Sequence, residues 1–172
     1  MIRSQGSGQT YTFNMDDTRT EVSVNLTKIL VLFGRLGPDT NARQLPATLA
    51  HIAPLLGELE KMRAKNPEFD LILRQSIEVR EKYSKVFRIP QVLSADPTIE
   101  GLRTANAQLA ARVVRSYCRE TKKIFQELGA KATRELLFET VNDCRLIASV
   151  LREEEPKLIE LMYWCEMELR RQ

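Results

Sequence analysis

The chain has one histidine, His51, and three cysteines, Cys118, Cys144 and Cys165, in 172 residues. A single histidine leaves histidine-dependent acid–base or nucleophilic schemes only one candidate. It lies between Ala50 and Ile52 on an apolar segment, the setting of a packed or half-exposed side chain. The cysteines are odd in number, far apart and never two residues from one another, so neither a disulfide framework nor a zinc site is expected and a reducing compartment fits best. They read as small buried side chains on helix faces.

Long apolar runs are also missing. The longest near-apolar stretch, Ile29 to Phe33, falls far short of the ~18 residues that cross a bilayer. Met1 to Gln9 is polar and rich in Gly and Ser, without the apolar centre of a signal peptide. These features predict a flexible tail over residues 1–17, an intracellular setting (cytoplasmic or nuclear) and no membrane partner. No glycine-rich phosphate loop, dinucleotide fingerprint, zinc-protease helix or EF-hand loop occurs. The Glu-x-x-His pairs of di-metal bundles are absent as well. Glu153, Glu154 and Glu155 cluster at a helix junction, where adjacent acids do not project into one pocket. The expectation is therefore no catalytic residue, no metal and no cofactor, in a chain that is not an enzyme.

What is present is an ordinary globular balance: 43% hydrophobic and 28% charged residues, enough to bury a core without staples. The net charge of +3 by itself demands neither nucleic acid nor membrane. Turn and stop signals fall at Gly37-Pro38, Asn66-Pro67, Ile89-Pro90, Asp96-Pro97, Gly129 and Glu155-Pro156. Between them apolar residues recur at helical spacing. The spacing predicts helices over about 20–36, 41–65, 67–88, 97–128, 131–154 and 156–172. Pro54 inside the second removes a donor and crowds the preceding turn, so a kink or two shorter helices are expected there. Asn66-Pro67 and Asp96-Pro97 read as a cap followed by proline at the first helical position. Arg80 interrupts the apolar side of the third helix, which places it at the edge of that stripe.

Two features stand out. Arg112, Arg115, Arg119 and Lys122 recur at steps of three and four on the long helix, with Lys123 beside them. Such a row contacts phosphates, meets an acidic protein partner, or is simply solvated. Glu120 and Glu127 dilute it, and no aromatics are interleaved for base stacking. The last helix carries Leu158, Ile159, Leu161, Met162, Tyr163, Trp164, Cys165 and Met167, apolar around most of its circumference. A helix of this kind is either central to its own domain or covered by a partner. With the preceding helix it is the candidate hairpin for self-association or partner binding, with Met162, Tyr163 and Trp164 as anchors.

Residues 20–88 contain Ile29-Leu30-Val31-Leu32-Phe33-Gly34-Arg35-Leu36, then Leu55-Leu56-Gly57-Glu58-Leu59-Glu60-Lys61-Met62-Arg63, then a capped helix closing on Glu81-Lys82-Tyr83-Ser84-Lys85-Val86-Phe87. This segment resembles the compact helical domain shared by the TFIIS N-terminal family and the LEDGF integrase-binding domain. The resemblance implies a helical bundle that binds short linear motifs of transcription and chromatin proteins. It covers under half of the chain, the second segment is longer than the pattern, and residues 97–172 have no counterpart.

The sequence thus predicts an all-α bundle of five to seven helices with a long C-terminal helical hairpin. Residues 18–93 would form a bundle and 97–172 a hairpin plus a final helix, as two blocks or one continuous domain. The expected role is a protein–protein interaction or scaffold module. The alternative is a nucleic-acid-associated protein using the basic row.

Overall fold

The computed structural model describes the backbone of residues 7–172 and the side chains of residues 17–172. The fold is all-α: among the described residues there are seven α-helices and no strand. They are α1 (Ser7–Gly34), α2 (Gln44–Lys65), α3 (Phe69–Glu81), α4 (Gln91–Ala95), α5 (Ile99–Leu128), α6 (Arg134–Ala148) and α7 (Pro156–Arg171). None is long and apolar enough to cross a membrane, among the described residues. Of the tail expected over residues 1–17, residues 1–6 lie outside the described residues. From Ser7 the chain is already helical, so α1 begins well before Thr20.

The chain divides into two compact units: one running up to Gly34 and including Ile52–Ala105, the other Arg35–His51 with Asn106–Gln172. The division falls inside α2 and α5 rather than in the linker at 94–96. The reason on the α5 side is visible in its first two turns, where Ile99, Leu102 and Ala105 are fully buried and belong to the first unit.

In the first unit α3 packs on α1, and α4 packs on α3. Val22, Leu26 and Ile29 of α1 and Phe69, Ile72, Leu73 and Ile77 of α3 are buried at three- and four-residue spacing, the stripe that a surface helix turns inward. Asn66 Oδ1 accepts from the Glu68 N–H at 2.9 Å, but this closes a turn ahead of the helix: α3 starts at Phe69 after Glu68, which makes no side-chain cap bond, and not at Pro67 as the sequence predicts. The helix stops at Glu81, not near Arg88. Tyr83 and Ser84 donate three residues back, to the carbonyls of Arg80 and Glu81, so the chain tightens into turns. Tyr83 (62% exposed) and Val86 (74%) bury too little to hold a further helical turn, and Arg88 adopts φ +20° ahead of Pro90. Arg80 itself is half-buried and reaches α1, as described below.

Pro54 does not split α2, which runs unbroken from Gln44 to Lys65. Ala50, Pro54 and their neighbour Ala53 are exposed, so water can take up the carbonyl that loses its donor. Asn41 and Gln44 set the start of α2 reciprocally. Asn41 Oδ1 accepts from the N–H groups of Arg43 (2.9 Å) and Gln44 (2.8 Å), while Gln44 Oε1 accepts from the Asn41 N–H at 3.1 Å.

The cap of α5 is Thr98 and not Asp96. Its hydroxyl accepts from the Gly101 N–H at 3.1 Å and donates to Asp96 Oδ1 at 2.8 Å. Gly129, at φ +53°, ends α5 in the left-handed conformation expected of it. In the second unit α6 and α7 pack together as a hairpin. Arg134 donates to the Leu169 carbonyl and Gln172 to that of Ala132, each at 3.3 Å. α6 ends at Ala148, six residues short of Glu154. Glu153 and Glu154 at its C-terminus would have met the negative end of the helix dipole. Glu155 instead caps α7, accepting from the Lys157 N–H at 3.2 Å.

Candidate functional site

Within the second unit, the later turns of α5 and the first half of α7 enclose an open groove of about 500 Å³. α5 contributes Arg115, Cys118, Arg119, Lys122, Phe125 and Gln126; α7 contributes Lys157, Glu160, Leu161 and Trp164. Both sets recur at steps of three and four, so each helix presents one continuous strip to the groove. The floor is apolar, with Cys118, Phe125 and Leu161 almost wholly buried. Trp164 forms a wall: its ring lies 5.1 Å from that of Phe125 at 53°, and the side chain is still 41% exposed.

The rim is cationic. Arg115 is held by Glu155 at 3.3 Å, and Lys157 lies 4.0 Å from Glu160. Arg119 and Lys122 form no ion pair among the described residues, and neither do Arg112 and Lys123. Three members of the row expected on the long helix, Arg115, Arg119 and Lys122, therefore share the groove; Arg112 and Lys123 are exposed but do not line it.

The three expected anchors part company. Trp164 lines the groove, Met162 is half-buried outside its lining, and Tyr163 is 62% exposed and also outside it. Consecutive residues on a helix point about 100° apart, so they do not form one anchor cluster. α7 is also not the central helix that its composition allows. It buries Leu158, Leu161 and Cys165 and leaves Ile159, Tyr163 and Trp164 exposed. Phe125, Lys157 and Glu160 are lining residues that the sequence reading does not pick out, and Leu161 enters it only as one of the apolar residues of the last helix. The signal available for Lys157 and Glu160 is that each lies four residues before an apolar member of the strip, Leu161 and Trp164.

Cys118 in the groove floor, Cys144 and Cys165 are buried free thiols, and Cys144 is close enough to feel the other two. Burial pushes the Cys118 thiol up to about 12, with Glu155 and Glu160 adding to the effect and Lys157 opposing it. Burial likewise pushes Cys144 up to about 12, with the two other thiols and Asp143 contributing, and Cys165 up to about 11. Folding holds these groups neutral, so the stability they contribute is complete below pH 9 and lost as pH rises towards 12, where the unfolded chain gives up protons first. Urea titrations at pH 8 to 11 should show the second unit weakening steadily above pH 9. Cys144→Ala should flatten that slope; an unchanged slope would remove the thiols from the account.

Among the described residues, no three His, Cys, Asp or Glu side chains gather in a way that could hold a metal ion. His51 is exposed, with Nδ1 2.7 Å from the Ala47 carbonyl oxygen one turn back. No family model, curated protein or solved structure matches the chain.

Proposed function

We propose that the chain is a protein–protein interaction module that docks its partner on the α5–α7 face of the second unit. The observation that carries this reading is the open groove: a buried apolar floor walled by a tryptophan that stays 41% exposed while its ring rests tilted against Phe125. A large aromatic fixed on one side and free on the other is the usual form of an interface anchor. Its orientation is already set by Phe125, so little side-chain freedom remains to be lost on docking. The setting proposed is intracellular, cytoplasmic or nuclear. The resemblance of residues 20–88 to domains that bind transcription and chromatin proteins favours that context.

The test is affinity purification from native lysate, with and without nuclease, using the chain and its Trp164→Ala variant. A stoichiometric protein that survives nuclease and is lost by the variant is the expected result, with affinity lowered about 30-fold or more, as for a central anchor. Circular dichroism checks that the variant keeps its helices. Undiminished capture by a folded Trp164→Ala variant would sink the assignment.

A second reading, nucleic-acid association, draws on the unpaired cations Arg112, Arg119, Lys122 and Lys123. It predicts affinity that falls steeply with salt and on removal of Arg115 and Arg119. Partners that vanish with nuclease would favour it.

A further inference from the structure

Resting on the reading of the groove as a docking site, we propose that its occupant is an amphipathic helix of another protein with an acidic flank. Its apolar side chains would enter against Phe125, Leu161 and Trp164, and its carboxylates would meet Arg119 and Lys122.

The length of the groove suits a helix. Arg115 meets Glu155 at one end and Phe125 meets Trp164 at the other, so α5 and α7 run side by side in the same direction. From Arg115 to Phe125 is ten residues, which at 1.5 Å each makes roughly 15 Å, or between two and three turns of a docked helix. That span accepts anchors at positions i, i+4 and i+7. The volume of about 500 Å³ has room for several large side chains, and the floor offers them apolar contact.

The charge selects the flank. Of five charged lining residues four are cations, and the single carboxylate, Glu160, already faces Lys157. Arg115 is held by Glu155, which leaves Arg119 and Lys122 one turn apart and unpaired beside a desolvated floor. Carboxylates three or four residues apart on a partner helix match that spacing. A nucleic acid fits less well: one exposed aromatic stacks one base, Glu160 repels phosphate, and the floor ring, Phe125, is almost wholly buried.

Trp164 is the only tryptophan, so its emission reports on the groove directly. The full chain is titrated with a synthetic helical peptide carrying Leu at i, i+4 and i+7 and Glu beside them. Parallel titrations use the same peptide with Gln for Glu, the same with Ser for Leu, oligothymidylate, and dodecanoate. The acidic peptide is expected to shift Trp164 emission to the blue and to bind about tenfold or more tighter than either altered peptide. Arg119→Glu with Lys122→Glu, at exposed positions, should weaken it by a similar factor, and a Lys-bearing peptide should recover binding to that double variant. Equal binding of the Gln peptide, or tighter binding of oligothymidylate or dodecanoate, overturns the proposal. If lysate capture depends on Trp164 but ignores the charge reversal, the docking site stands and the acidic occupant fails. If capture ignores Trp164, the docking site fails as well.

Discussion

Gly101→Ala is expected to destabilise the first unit by about 3 kcal/mol or more, although glycine-to-alanine changes inside helices normally stabilise. Gly101 lies in the first turn of α5 and is buried, and its φ is negative, so its conformation would suit any residue. The obstacle is space. A Cβ there would stand 1.7 Å from the Asp96 carbonyl oxygen and 2.8 Å from its carbon. That carbonyl cannot simply withdraw: it accepts from the Thr98 N–H at 2.9 Å, and the Thr98 hydroxyl clamps both Asp96 Oδ1 and the Gly101 N–H. Relief means releasing the cap, itself worth about 1 kcal/mol, and shifting Ile99 and Leu102 from full burial. Gly57 in α2 is the control. A Cβ there meets nothing within 4 Å, so Gly57→Ala should stabilise by about 0.5–1 kcal/mol. Urea unfolding followed by circular dichroism measures both; a Gly101→Ala variant as stable as the parent would refute the steric account.

Arg80→Met should cost about 2–3 kcal/mol even though it replaces a charge by an apolar group of similar length. The Arg80 guanidinium is half-buried and has no carboxylate partner among the described residues; burial lowers its affinity for the proton. What holds it is a set of oxygen acceptors on two helices. Nη1 donates to the Ser76 carbonyl at 3.0 Å, while Nη2 meets the Ser23 carbonyl (2.9 Å), Ser23 Oγ (2.7 Å) and Thr27 Oγ1 (2.6 Å). Hydrogen bonds from a charged donor are stronger than neutral ones, and these tie α3 to α1 near the end of α3. The guanidinium carbon also stands 6.0 Å from the centre of the Phe87 ring, where the turns after Glu81 fold back. Met leaves Ser23 Oγ and Thr27 Oγ1 without the guanidinium donor and keeps only the packing, while the Ser23 carbonyl still accepts from the Thr27 hydroxyl at 2.8 Å. Arg80→Lys should lose part of this, because one ammonium on a flexible stem cannot reproduce the fork. Chemical unfolding of both variants, with hydrogen exchange over α1 and α3, provides the check. A Met variant at parental stability would mean that the network contributes no net energy.

Arg80 and Trp164 mark the two ways in which the sequence stopped short. The apolar stripe of α3 was legible, and so was the fact that Arg80 breaks it. Nothing local says that Ser23 and Thr27, more than fifty residues earlier, supply its acceptors. For α7 the apolar density was legible, but a helix rich in Leu, Met and aromatics does not declare which side faces inward. Only packing against the neighbouring helices separates Leu158, Leu161 and Cys165, which are buried, from Trp164 and Tyr163, which are not.

The all-α class, the positions of most helix breaks and the cationic row on α5 followed from the sequence alone. They rest on spacing, capping and the conformational limits of glycine and proline, which act within a few residues. Helix ends at Glu81 and Ala148, the uninterrupted course of α2 through Pro54, the cap at Thr98 and the division inside α2 and α5 came from the tertiary structure. So did the groove, because it pairs a polar strip of α5 with an aromatic of α7 some forty residues on, and only packing brings such strips side by side.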